Sequence, residues 1–172
     1  MGDALQMKGK WLSALAVALV VAACGASEPE LSGFVRDPAP EVGGTSIPDV
    51  AHGGEPFRLV APEGSILVVA FGYISCPDVC PTTMAHVRSA AQSLGSMGER
   101  VEVAFVSVDP GRDTPEVLNA YMAHFSDRPH ALRTDDPARL RAVALAFGAD
   151  YTVTGSGVST VVEHTADLYA VD

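Results

Sequence analysis

Charge is scarce in this chain of 172 residues: 19% of positions are Asp, Glu, Lys or Arg, and lysine does not recur after Lys10. Aromatic residues make up 6%, and there is a single Trp. With 48% hydrophobic residues, so little charge excludes a disordered chain. Bases are the scarcer sign. After Cys24, nine Arg face twenty acidic residues, a net of −11, which argues against nucleic acid as a partner. No period of roughly 20–50 residues recurs, so a repeat array is excluded. The length fits one domain with a sizeable core.

The segregation of lysine is informative. Lys8 and Lys10 precede a 13-residue apolar stretch, Trp11 to Ala23. At about 1.5 Å per residue such a helix falls short of a ~30 Å hydrocarbon core. A basic start followed by a short apolar run fits an export signal. Val21-Ala22-Ala23-Cys24 resembles a bacterial lipobox, which makes Cys24 the lipidated first residue of a mature chain. The expected location is the bacterial cell envelope, lipid-anchored on the outer side of the cytoplasmic membrane. An uncleaved anchor, or an ordinary signal with an incidental Cys, is the alternative. Residues 1–24 therefore read as a signal segment. Residues 25–54, rich in Pro, Gly, Glu and Ser without apolar periodicity, read as a flexible tether. Residues 55–172 form the expected domain.

Within that domain, Phe57 to Val60 reads as a first strand and Ile66 to Phe71 as a buried central strand. Met84, Val87, Ala91 and Leu94 recur at helical spacing, and Val101 to Val108 is the next strand. Thr114-Pro115-Glu116 has the composition of a helix start, with Leu118, Tyr121, Met122 and Phe125 on one face. Asp136-Pro137 opens another helix on Leu140, Val143, Ala144 and Phe147, stopped by Gly148. Thr160 to Glu163 and Leu168 to Val171 are the closing β runs. Strands alternating with helices predict an α/β layer fold with a mixed sheet.

Between the central strand and its helix lie Cys76 and Cys80, where a helix N-terminus stabilises thiolates. A permanent disulfide across so short a loop would stabilise little. The spacing is C-x3-C, and in regular helix the two Cβ atoms would stand about 5–6 Å apart. A disulfide wants about 3.5–4.5 Å. A metal ion tolerates the wider gap, so the spacing leans toward metal, although a distorted turn could still oxidise. Val79-Cys80-Pro81-Thr82 also suggests a peroxiredoxin, but Tyr73 and Pro77 stand where that family wants Pro and Thr or Ser. Two thiolates need a third ligand. His52 falls in the tether, His86 points away from Cys80 on its helix, His124 adjoins core residue Phe125, and His130 falls in a Pro-containing loop. His164 interrupts two β runs, at a strand end that can meet the Cys turn. Spacing alone makes it a candidate. A structural zinc site normally wants four protein ligands, and three are evident.

Three segments in order carry a family resemblance: Phe71-Gly72-Tyr73 through Cys76-Pro77-Asp78-Val79-Cys80-Pro81, then Val106 to Pro110 with Arg112 to Glu116, then Val162-Glu163-His164-Thr165. Together they resemble the Sco/SenC family of copper-binding, thioredoxin-like, membrane-tied proteins used in cytochrome c oxidase assembly. The resemblance covers roughly residues 53–172. It implies a thioredoxin-like three-layer α/β fold with a central mixed sheet. It implies copper, as Cu(I), Cu(II) or both, held by Cys76, Cys80 and His164, with Asp78, Asp109 and Asp113 placed around the ligands. Soft thiolates with one imidazole suit that metal. The implied role is delivery of copper to the binuclear site of the oxidase. Its partners would be the copper-bearing oxidase subunit, other copper chaperones and the membrane. No enzyme activity is required. A thiol:disulfide reductant that keeps the oxidase cysteines reduced, or a copper or redox sensor, are the rival readings. This sequence departs from the pattern twice. It lacks an insertion, including a Gly-Lys, between Gly64 and Ile66. Relatives also continue past the equivalent of Asp172 through a turn, a strand and a helix, so an uncovered sheet edge is expected.

Overall fold

A computed structural model of the chain describes residues 33–172. The signal-like segment, Cys24 and the first part of the expected tether lie outside the described residues. Asp37–Asp172 form one compact unit. Among the described residues no helix is long and apolar enough to cross a membrane.

The strands are β1 (Ser46–Asp49), β2 (Glu55–Arg58), β3 (Ile66–Gly72), β4 (Val101–Ser107), β5 (Pro129–Leu132), β6 (Tyr151–Thr154), β7 (Val161–His164) and β8 (Leu168–Val171). The helices are α1 (Val79–Ser93), α2 (Pro115–Met122) and α3 (Pro137–Phe147). Six strands form one mixed sheet in the order β2-β1-β5-β4-β3-β8, and β6 pairs with β7 in a separate hairpin. β3, β4 and β5 run parallel, whereas β8 lies antiparallel on β3.

Alternation along the central strands creates the layers. Leu67, Val69 and Phe71 of β3, with Ala104 and Val106 of β4, pack against Leu140, Val143, Ala144 and Phe147 of α3. Ala70, Val103 and Phe105 face the other way, against Cys80, Met84 and Val87 of α1 and Leu118 and Met122 of α2. This is the expected three-layer α/β arrangement with a mixed sheet. Both Pro-initiated helices begin as the sequence predicts. Thr114 accepts a hydrogen bond from the Val117 N–H, and Asp136 accepts from those of Ala138 and Arg139. Gly148, at φ 63°, closes α3 in the left-handed conformation that glycine adopts without strain.

Three expectations change. The domain begins before Glu55, because Ser46–Asp49 pairs with β2 and β5 and fully buries Ile47. A four-residue strand interrupted by Pro48 leaves no periodic signal in the sequence. His52 is not in a tether and His130 is not in a loop: His52 ends the short helical turn Val50–His52. His130 lies on β5, and both histidines converge on buried Asp49. On α1 the expected apolar face holds through Met84 and Val87, but Leu94 caps the helix and is exposed.

Candidate metal centre

β3 delivers the chain to a turn at Tyr73–Asp78 before α1 begins at Val79. The adjoining loop after β4 fixes that turn. Asp113 accepts the Ile74 N–H at 3.2 and 3.3 Å and the Ser107 hydroxyl at 2.7 Å. Ser107 in turn accepts the Asp109 N–H at 3.2 Å, and Val108 N–H donates to the Gly72 carbonyl at 2.8 Å. Arg112 pairs with Asp109 and lies 5.7 Å from the Tyr73 ring. Asp113 is 1% exposed. Burial raises its carboxyl above the ordinary range, and the hydrogen bonds from Ser107 and Ile74 only partly offset this. Asp109 and Asp113 thus organise the loop and the cysteine turn.

Both thiols are free, and they sit in unlike surroundings. Cys80 occupies the first turn of α1 and is 4% exposed. Helix N-termini favour thiolates, yet burial wins here and pushes the Cys80 thiol up to about 12, with neighbouring Cys76 adding to the effect. Cys76 lies outside the helix, half-buried, and its Sγ accepts the Cys80 N–H at 3.3 Å. Burial also disfavours the Cys76 thiolate, but hydrogen bonds from the Cys80 thiol and the N–H groups of Cys80, Asp78 and Val79 outweigh it. They hold Cys76 below its ordinary value. The spacing of a regular helix therefore does not apply to this pair.

His164 ends β7 opposite Tyr151. Its Nδ1 donates to the Thr165 carbonyl at 2.9 Å, which leaves Nε2 as the lone-pair nitrogen. That nitrogen faces Cys80 Sγ at 3.6 Å, across 84 residues of sequence. Thr165 is itself tied to Asp150, with its N–H on the Asp150 carbonyl at 2.9 Å. The Tyr73 ring stands edge-on to the imidazole at 5.8 Å. A small cavity of about 10 Å³ lies here, lined by Cys80, Met84, Phe105 and His164 among others.

The donor set fits a soft ion. Bonds of about 2.3 Å to sulfur and about 2.0 Å to nitrogen would subtend about 115° across the Cys80–His164 gap, between tetrahedral and trigonal values. The three side chains do not yet form a closed shell, because their donor atoms do not all lie within 4.8 Å of one another. Cys76 is the member turned toward backbone. Asp78 stays exposed and accepts the Thr82 hydroxyl at 3.3 Å. Sequence reasoning missed Ser107, Tyr73, Thr165 and Gly72 as parts of the site. Each lies inside or beside one of the three motifs, which was the available signal.

The SCO1/SenC family model matches residues 48–172. Protein SenC of Rhodobacter capsulatus is 33% identical over 69% of this chain and 58% of its own length. The structure of Bradyrhizobium japonicum ScoI with copper bound is 28% identical, covers 74% of this chain and 80% of that one, and has a TM-score of 0.64. Arabidopsis thaliana ScoI with copper bound is 26% identical over 75% and 80%, again at 0.64. The chain spans about three fifths of the length of the curated relatives it matches. The fold is thioredoxin-like, and on the match of both sequence and architecture this chain belongs to the SCO1/SenC family.

Proposed function

We propose that this protein binds one copper ion through Cys76, Cys80 and His164 and passes it to the copper-bearing subunit of cytochrome c oxidase. On this reading Cys24 carries the lipid that holds the chain on the outer side of the cytoplasmic membrane. One observation carries the proposal: a buried thiol and the free Nε2 of His164 meet at 3.6 Å, with the imidazole tautomer set by the Thr165 carbonyl. Copper-bound relatives of the same fold support it.

Copper here is cargo, so the site has to release it as well as hold it. Cys80 and His164 form the inner pair, and Cys76 closes the shell by turning from the Cys80 N–H toward the ion. Being more exposed, Cys76 is the ligand that an incoming thiolate displaces first. Ligand exchange then moves the ion stepwise without free copper, and Cys80 recovers a proton as the ion leaves. A second reading has specific support. The unlike thiols, Cys76 below and Cys80 above the ordinary value, are what a thiol reductant uses to attack and then resolve a disulfide.

The test is transfer. Cu(I)-loaded protein mixed with the metal-free copper domain of the oxidase subunit should lose its copper to it, and His164→Ala should impair that transfer. If His164→Ala transfers normally, or if only disulfide reduction is detected in the acceptor, the delivery reading fails.

A further inference from the structure

Far from the cysteines, Asp49, His52 and His130 bring a carboxylate oxygen and two imidazole nitrogens together within 4.8 Å, the one such group of three among the described residues. Glu102, beside this cluster, and Ser107, at the cysteine site, stand near opposite ends of β4. At about 3.3 Å per residue they are about 17 Å apart along the strand. We propose that Asp49, His52 and His130 form a second site, for a divalent transition-metal ion such as Zn²⁺ or Cu²⁺.

The cluster is held in place from below. Asp49 ends β1 with its side chain only 3% exposed. Its Oδ1 accepts the backbone N–H groups of Ala51 at 3.0 Å and Ala131 at 3.1 Å. Its Oδ2 takes both Nδ1 atoms, His52 at 2.8 Å and His130 at 2.7 Å. Phe57 stacks on His130 with ring centroids 4.0 Å apart. One oxygen with two imidazole nitrogens is the 2-His-1-carboxylate donor set of borderline divalent metals. A facial arrangement with bonds of about 2.1 Å spaces its ligands about 3.0 Å apart. The two hydrogen-bonded edges therefore need to open by only a few tenths of an ångström. His52 is half-exposed and borders an open groove of about 650 Å³, which leaves the remaining coordination positions to water.

Glu102 supplies the second argument. His130 stands between two carboxylates, with Nδ1 on Asp49 Oδ2 at 2.7 Å and Nε2 facing Glu102 Oε2 at 3.4 Å. With an ion on Nδ1, the Nε2–H donates to Glu102. The result is a carboxylate–imidazole–metal relay that fixes ring orientation and raises ligand basicity. No Lys or Arg side chain forms an ion pair with Asp49 or Glu102 among the described residues. The two carboxylates thus favour a cation at this point.

This site is independent of the copper reading and is tested with the first site disabled. The full chain carrying Cys76→Ser, Cys80→Ser and His164→Ala should bind one Zn²⁺ per chain in calorimetric titration. Adding His52→Ala or His130→Gln should weaken binding by at least about tenfold, and Glu102→Gln by about tenfold. His86→Ala should leave binding unchanged. His52 is exposed, so its variant should keep the parent's circular dichroism. In the same background, the Cu²⁺ spectrum by electron paramagnetic resonance should show two coordinated nitrogens, falling to one in His52→Ala. An absence of stoichiometric Zn²⁺ binding overturns the proposal. So does binding that His52→Ala leaves unaltered in a folded protein.

Discussion

Gly72 is where the sheet core and the cysteine site press most closely on one another. A Cβ at this position would lie 2.7 and 2.9 Å from two ring atoms of Phe105 and 3.0 Å from Cys80 Sγ. Carbon contacts relax near 3.5–4.0 Å, so the shortfall is close to an ångström on two sides. Phe105 is 1% exposed and Cys80 4%, and the small cavity that both line, about 10 Å³, is the space available for either to retreat. Overpacking of this kind costs about 1–3 kcal/mol. Loss of glycine's freedom in the unfolded chain offsets about 0.4–1 kcal/mol. Gly72→Ala should therefore lower stability by about 1–2 kcal/mol in urea denaturation, or lower Tm by about 2–8 °C. Gly111→Ala is the control, since its Cβ would meet nothing nearer than Asp109 Oδ1 at 3.9 Å. In a Phe105→Leu background the cost of Gly72→Ala should shrink, because the offending ring atoms are gone. A Gly72→Ala midpoint equal to wild type would refute the packing argument, as would an identical cost with and without the Phe105 ring.

Asp113 should reveal itself through pH. Its folded carboxyl lies above the unfolded value, so the stability tied to its proton is present in acid and lost as pH rises through the folded pKa. Asp113→Asn should thus gain on wild type as pH rises and match it in acid, read from urea midpoints across the carboxylate range. Asp113→Ala, which strands the Ser107 hydroxyl and the Ile74 N–H, should lose about 2–4 kcal/mol at neutral pH. Copper affinity should fall as pH drops, since protons compete for both thiolates. Flat affinity between pH values of about 5 and 8 would contradict thiolate ligation. Wild-type protein should fractionate with membranes and carry lipid on Cys24, and Cys24→Ser should be released or left uncleaved. An unmodified Cys24 in a soluble chain, by intact mass, would overturn the anchoring proposal.

What the sequence made legible tracks how local each signal is. β3 and β4 are seven-residue strands rich in β-branched and aromatic residues, and α2 and α3 announce themselves by Thr-Pro and Asp-Pro starts. β1, β5 and β6 are four residues each, two of them containing Pro, and they form because neighbours pair with them. The same contrast holds at the sites. Cys76 and Cys80 are visible as a motif, and the family resemblance brought His164 to them. Asp49 and His130, by contrast, are 81 positions apart with no motif between them, and only the pairing of β1 with β5 brings them together. Cys76 lies in a turn outside α1, where Pro77 follows it and Asp113 accepts the Ile74 N–H, so the regular-helix spacing considered for the pair does not apply.

The central claim is best tested at the ligands. Full-length protein with reduced thiols should bind one Cu(I) per chain, and X-ray absorption at the copper edge should show two sulfurs and one nitrogen. The Cys76→Ser/Cys80→Ser double variant should lose that tight site, because a hydroxyl is a hard, neutral ligand that does not replace a thiolate. Equal Cu(I) affinity in wild type and the double variant, or a spectrum without sulfur, would contradict the account.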